Sequence, residues 1–66
     1  MYKLTISYDG EQVAVYQYSD MLSAVHNFDK CKDFGDAKGY ATYNLSEPSG
    51  KMHTKTFYRN GKVSIK

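Results

Sequence analysis

The side chains of this chain that could do chemistry are few: His26, His53, Cys31, and the aspartates Asp29 and Asp33. A metal site draws three or four ligands from His, Cys and carboxylates. His26 and Cys31 stand five apart, so on a helix they do not stack on one face as an i, i+4 pair would. Neither histidine has companions at ligand spacing, and no metal or cofactor is expected. His26 reads as a flank of an apolar stripe and His53 as an exposed strand residue. A nucleophilic cysteine needs a stabilised thiolate and a nearby base. Cys31 falls late in a helical stretch and on its apolar side, where the thiolate is disfavoured and a buried thiol is inert. It is expected to pack in the core. Asp29 and Asp33 stand at i, i+4, but acid–base work needs a pocket and raised pKa values. With Lys30 and Lys32 beside them, they read as a solvated helix face. The Asp33-Phe34-Gly35 triplet occurs in protein kinases, yet nothing else of that set is present. No phosphate-cradling glycine loop occurs either. The chain is expected not to be an enzyme.

A second group of residues suggests binding. Residues 51–66, KMHTKTFYRNGKVSIK, carry Lys51, Lys55, Arg59, Lys62 and Lys66 with no acid, a balance of +5. Residues 1–50 carry four lysines against seven carboxylates, a balance of −3. Such asymmetry hints at an electrostatic partner. One cysteine excludes an intramolecular disulfide, and no apolar run is long enough for a signal peptide or a membrane span. A reducing, cytoplasmic setting is the default. Asn44-Leu45-Ser46 matches the glycosylation pattern, which is common by chance and has no secretory support here.

The elements that must position these residues are legible from periodicity. Sixty-six residues are enough for one domain with a small core, and ten aromatics (seven Tyr, three Phe) offset that size. Tyr2, Leu4, Ile6 and Tyr8 alternate with polar residues, the pattern of a half-buried strand. Asp9-Gly10 is the pair favoured in a two-residue type I′ turn. It predicts a hairpin with the strand from Gln12 to Tyr18, Ile6 opposite Val13 and Leu4 opposite Val15. Ser19 is expected to cap a helix whose apolar stripe is Met21, Leu22, Val25, Phe28 and Cys31, ending at Gly35. Residues 33–39 read as a loop. Two further strands follow, YATYNL and MHTKTFY, joined by the turn SEPSGK. Asn60-Gly61 reads as another two-residue turn, leading into KVSIK and pairing Tyr58 with Val63 and Thr56 with Ile65. The order is β-β-α-β-β-β. The expected fold is α+β: one domain over 1–66, a single antiparallel sheet of five strands with one helix packed on one face. This order and the initiating Met suggest a complete small gene product of the kind abundant in phages and mobile elements.

With these registers, the helix-covered face holds Leu4, Ile6, Val13, Val15, Ala41, Tyr43, Leu45, Met52, Val63 and Ile65. The open face holds Lys3, Thr5, Tyr16, Tyr18, Tyr40, Thr42, Asn44, His53, Lys55, Phe57, Ser64 and Lys66. Four rings on an open face suggest function. Tyr is enriched at protein interfaces, so the first expectation is a binding module that meets another protein or a second copy of itself through Tyr16, Tyr18, Tyr40, His53, Lys55, Phe57 and Lys66. The alternative is single-stranded nucleic acid, its bases stacked on the rings and its phosphates met by the lysines, with Arg59 and Lys62 reaching from the hairpin tip. The plain structural alternative is that the tyrosines lie flat and pair across strands.

Overall fold

The computed structural model of the chain describes residues 1–32 and 37–65. Five strands and one helix occur in the order β1 (Tyr2–Tyr8), β2 (Glu11–Tyr18), α1 (Met21–Lys30), β3 (Tyr40–Ser46), β4 (Met52–Tyr58) and β5 (Val63–Ile65). They form one antiparallel sheet of order β2-β1-β3-β4-β5, the α+β arrangement expected. β2 and β3 both run antiparallel to β1, so they run parallel to each other. The chain between them must cross β1, and α1 is that crossover. The helix accordingly packs on β1, β2 and β3. It sits off-centre because the topology puts it there: β4 meets the helix end through the Lys55 side chain, while Val63 and Ile65 of β5 stay exposed.

Three hairpin loops set the registers, and after each of them the pairing or the facing differs from the sequence expectation. Asp9 and Gly10 form the predicted two-residue turn, with φ of 54° and 86°, and Tyr8 pairs with Glu11. A β-bulge then intervenes: Ser7 pairs with Gln12, but Ile6 pairs with Ala14 and Leu4 with Tyr16. The expected Ile6–Val13 and Leu4–Val15 pairs do not form. Because side chains alternate, one extra residue turns the rest of β2 over. Tyr16 and Tyr18 thereby lie on the helix side, and Val15 lies on the open face. The slip packs Tyr18 against the core, which favours burial there, while Tyr16 stays half exposed.

The β4–β5 hairpin turns through three residues, not two. Tyr58 N–H donates to the Lys62 carbonyl at 2.9 Å, Gly61 N–H donates to the Tyr58 carbonyl at 3.0 Å, and Gly61 has φ 91°. This is a turn closed by a left-handed glycine. Phe57 therefore pairs with Val63 and Lys55 with Ile65, in place of the expected Tyr58–Val63 and Thr56–Ile65. The β3–β4 loop repeats the device: Glu47 N–H donates to the Lys51 carbonyl, and Gly50 has φ 94°. Leu45 then pairs with His53 and Tyr43 with Lys55. His53, Lys55 and Phe57 lie on the helix side, while Met52, assigned to the covered face, lies on the open one.

The helix begins one residue later than expected. Asp20, not Ser19, is the cap: its carboxylate accepts from Ser23 N–H at 2.9 Å. The helix ends at Lys30 with Cys31 as its C-cap, well before Gly35, which lies outside the described residues together with the rest of 33–36. Ala24 is the helical residue that is fully buried, between Leu4 and Leu45. A methyl side chain lets the helix axis approach the sheet closely. Tyr2, Tyr18, Phe28 and Cys31 pack around that cluster, and a second cluster gathers Ala37, Ala41 and Tyr43 with Ile6, Tyr8 and Phe57. Cys31 is thus a packing residue, with its thiol directed at the Asn27 carbonyl.

Candidate interaction surface

The residues expected to share an open aromatic face are divided between the two sides of the sheet. Tyr40 alone of the four rings lies on the open side, 5.9 Å centroid to centroid from Tyr58. Around this pair the open face is polar and internally bonded. Thr42 and Thr56 share a hydroxyl–hydroxyl contact of 3.3 Å, and Asn44 Nδ2 donates to Thr54 Oγ1 at 2.8 Å. Tyr18 packs on the Leu4–Ala24–Leu45 cluster, and burial pushes its phenol pKa up. Phe57 meets Tyr43 edge-on at 5.9 Å. Lys66 lies outside the described residues. Arg59 and Lys62 are exposed at the hairpin tip as expected, Arg59 Nη1 donating to the Lys38 carbonyl at 3.3 Å.

Lys55 is the largest departure. It is only 8% exposed. Its ammonium donates to the Phe28 carbonyl in the last turn of α1 and lies 4.2 Å from the centre of the Phe28 ring. A cation beneath a helix C-terminus meets carbonyls that lack helical partners and the negative end of the dipole. Burial lowers the Lys55 pKa, and nearby Cys31 and Asp29 oppose that shift. Lys55 ties the helix end to β4 and is not available to a phosphate. His53 is not a free strand residue either: its Nε2 lies 2.6 Å from Glu47 Oε2.

A surface that the sequence reading assigned to the core takes the place of the aromatic face. Of the five residues in the apolar stripe, Phe28 and Cys31 pack inward, while Met21, Leu22 and Val25 are exposed, Leu22 at 83%. At 3.6 residues per turn Leu22 lies roughly 160° around the helix from the buried Ala24. The flank bearing Met21, Val25 and Phe28 walls a hollow of about 280 Å³, whose other lining residues are Tyr2, Leu45, Asp29, Glu47 and His53. The hollow is apolar at its base, with Asp29 and the Glu47–His53 pair at its rim. On the same side of the sheet, β5 carries Val63 and Ile65, exposed at 53% and 75%. Among the described residues the helix flank and these exposed side chains form a ledge: α1 is its wall, and β5 beside β4 its floor. One signal in the sequence pointed this way: the apolar residues of α1 span a wider arc than one sheet contact can cover.

At the far end of the sheet the Asp9 carboxylate accepts from the backbone N–H groups of Lys38, Gly39 and Tyr40 at 2.8, 2.7 and 3.2 Å. These amides, Lys38 and Gly39 foremost, hold its pKa below the usual carboxylate value. Asp9 is a clamp on the entry to β3 and a residue the turn signal alone did not expose. Among the described residues no three His, Cys, Asp or Glu side chains form a group that could hold a metal ion, and no helix is long and apolar enough to cross a membrane. No protein-family model, curated protein or solved structure matches this chain.

Proposed function

We propose that this chain is a small non-catalytic module of the cytoplasm that binds protein through the ledge between α1 and β4–β5. The observation that carries this is the outward placement of Met21, Leu22 and Val25, near an apolar hollow and the exposed Val63 and Ile65 of β5. These three residues with Val63 and Ile65 expose on the order of 500 Å², in the range where the largest patch on a small protein is often functional. Concave apolar surface with a polar rim is the anatomy of a docking site for side chains. The Thr/Asn open face, its polar groups already bonded to one another, is the less receptive side. The test is a photo-crosslinking residue placed at Leu22 or, as control, at Thr5 on the open face, in the full chain expressed in its native host. A protein adduct is expected from position 22 only, and Ile65→Lys should abolish it, since both residues border the ledge. An adduct from position 5 alone would overturn the assignment.

A second reading rests on a hollow of about 200 Å³ at the hairpin tip, lined by Lys32, Phe57, Arg59, Lys62 and Val63 among others. Three cations around a ring suit a nucleotide in a single strand. Engaging all three would give a log–log salt slope of roughly −2, from about −0.7 per phosphate. Fluorescence anisotropy with short oligonucleotides at low salt would show that slope, flattened by Lys62→Glu with Arg59→Glu. Absence of binding there leaves the tip a solvated turn.

A further inference from the structure

We infer that the occupant of the ledge is α1 of a second copy of this chain, the two copies related by a two-fold axis so that each helix flank lies on the β4–β5 floor of the other. This deepens the docking reading above and rests on it. The first argument is coverage. Five strands at about 4.8 Å spacing make a sheet about 19 Å across, and one helix is about 10 Å wide. The crossover fixes α1 over β1–β3, and among the described residues β5 keeps Val63 and Ile65 exposed on the helix side, a strip that a second helix is wide enough to cover. The second is self-complementarity. The wall residues Met21 and Val25, with Leu22 exposed on the outer side of the same helix, and the floor residues Val63 and Ile65 belong to one chain. An isologous contact needs this: the patch must contain both the surface that is covered and the surface that covers.

The third argument is charge. Asp29 stands on the helix beside the wall, whereas Lys62 adjoins Val63 on the floor, and Arg59 lies at the same hairpin tip. Residues 51–66 carry five basic groups and no acid, while residues 1–50 carry three more acids than lysines. Of these basic groups Lys51, Arg59 and Lys62 are exposed among the described residues, so a second copy offers Asp29 partners of opposite sign, which steer encounter. An apolar area on the order of 500 Å² per copy is smaller than the roughly 800 Å² per partner of a standard interface, which points to micromolar association.

The experiment is sedimentation equilibrium of the full chain up to about 1 mM, where a contact of about −8 kcal/mol, equivalent to micromolar affinity, is well saturated. A monomer–dimer equilibrium is expected. Leu22→Glu and Ile65→Lys, both at exposed sites and so compatible with folding by circular dichroism, should each weaken dimerisation at least about thirty-fold, the loss carried by a central interface residue. Mixing the two variants should restore association. In the mixed dimer the introduced carboxylate meets the introduced ammonium at one contact, and the other contact is native. Weakening without restoration on mixing would overturn the reciprocal two-fold arrangement. A monomer at about 1 mM would overturn self-association itself. In that case a heterologous adduct from position 22 would preserve the ledge as a docking site, and its absence would remove both readings.

Discussion

Deleting Val13 should leave this protein folded, which is an unusual expectation for a residue inside a strand. Val13 is the extra residue of the bulge: Gln12 pairs with Ser7 and Ala14 with Ile6, so nothing on β1 stands opposite it. Its side chain is 52% exposed. Removing it joins two stretches that are already in register, and Tyr16 and Tyr18 keep their helix-side positions. The cost is limited to a partly exposed valine on an edge strand, so the change in stability should stay within about 1 kcal/mol. In a bulge-free hairpin Val13 would pair with Ile6 and Val15 with Leu4 on the covered face, and the same deletion would turn Val15 outward and Tyr16 and Tyr18 inward. Losing a valine from the covered face in that register would cost about 1.5–3 kcal/mol. A chain of this length has about 3–10 kcal/mol in total, so the two outcomes are well separated. The control is deletion of Thr5 from β1, which pairs in register on both sides with Val15 and Asn44. That deletion moves Leu4, 2% exposed, to the open face and should unfold the domain. Urea denaturation followed by far-ultraviolet circular dichroism measures both. A Val13 deletion that loses more than about 3 kcal/mol or fails to fold would refute the bulged register and the burial of Tyr18 that follows from it.

The Asp9 clamp predicts an acid limb to the stability profile. Its pKa is lowered in the folded state by three backbone amides, so its contribution is present above the ordinary value of 3.8 and is lost as pH falls through the folded value. Asp9→Asn should shrink that limb in urea midpoints taken across the acid range, while Asp20, lowered by its bond to Ser23, retains the remainder. Lys55 acts in the opposite range. Its folded pKa lies below 10.5, so between the two values the unfolded chain holds more protons and the Lys55 contribution to stability rises with pH. Lys55→Met keeps the buried stem and removes the desolvated charge. It should be neutral to stabilising by about 1 kcal/mol near pH 7, with the advantage shrinking as pH approaches 10.5. A loss above about 3 kcal/mol would show that the bond to the Phe28 carbonyl outweighs the cost of burying the charge. Gly10 and Gly61 have φ of 86° and 91°, but a Cβ at Gly10 would stand 3.2 Å from the Tyr40 hydroxyl whereas one at Gly61 meets nothing within 4 Å. Gly61→Ala should cost about 1 kcal/mol in conformation alone, and Gly10→Ala more. Equal thermal shifts would count against the Tyr40 contact.

Local chemistry in the sequence determined the elements. Asp9-Gly10 has the residues that a type I′ turn requires, and alternation marked every strand. The apolar stripe marked a helix, and the β-β-α-β-β-β order bounded the architecture. The sequence also placed Cys31 in the packing and set apart a basic C-terminal hairpin. Which side chains share a face was not determined locally. Strand alternation has period two, so one residue of ambiguity in a loop reverses a whole strand. Asn60-Gly61 fits a two-residue turn or the end of a three-residue one equally well, and the folded chain takes the second, which brings Phe57 and Lys55 to the helix side. The bulge at Val13 has no turn signature at all. It arises where Tyr18, next to the start of the helix, packs into the core. The pairing of β3 with β1 made α1 a crossover and moved it off the centre of the sheet. Leu22 and Val25, apolar and helical like any core residue, were left on the outside by that topology and by the small side chain of Ala24 on which the helix rests.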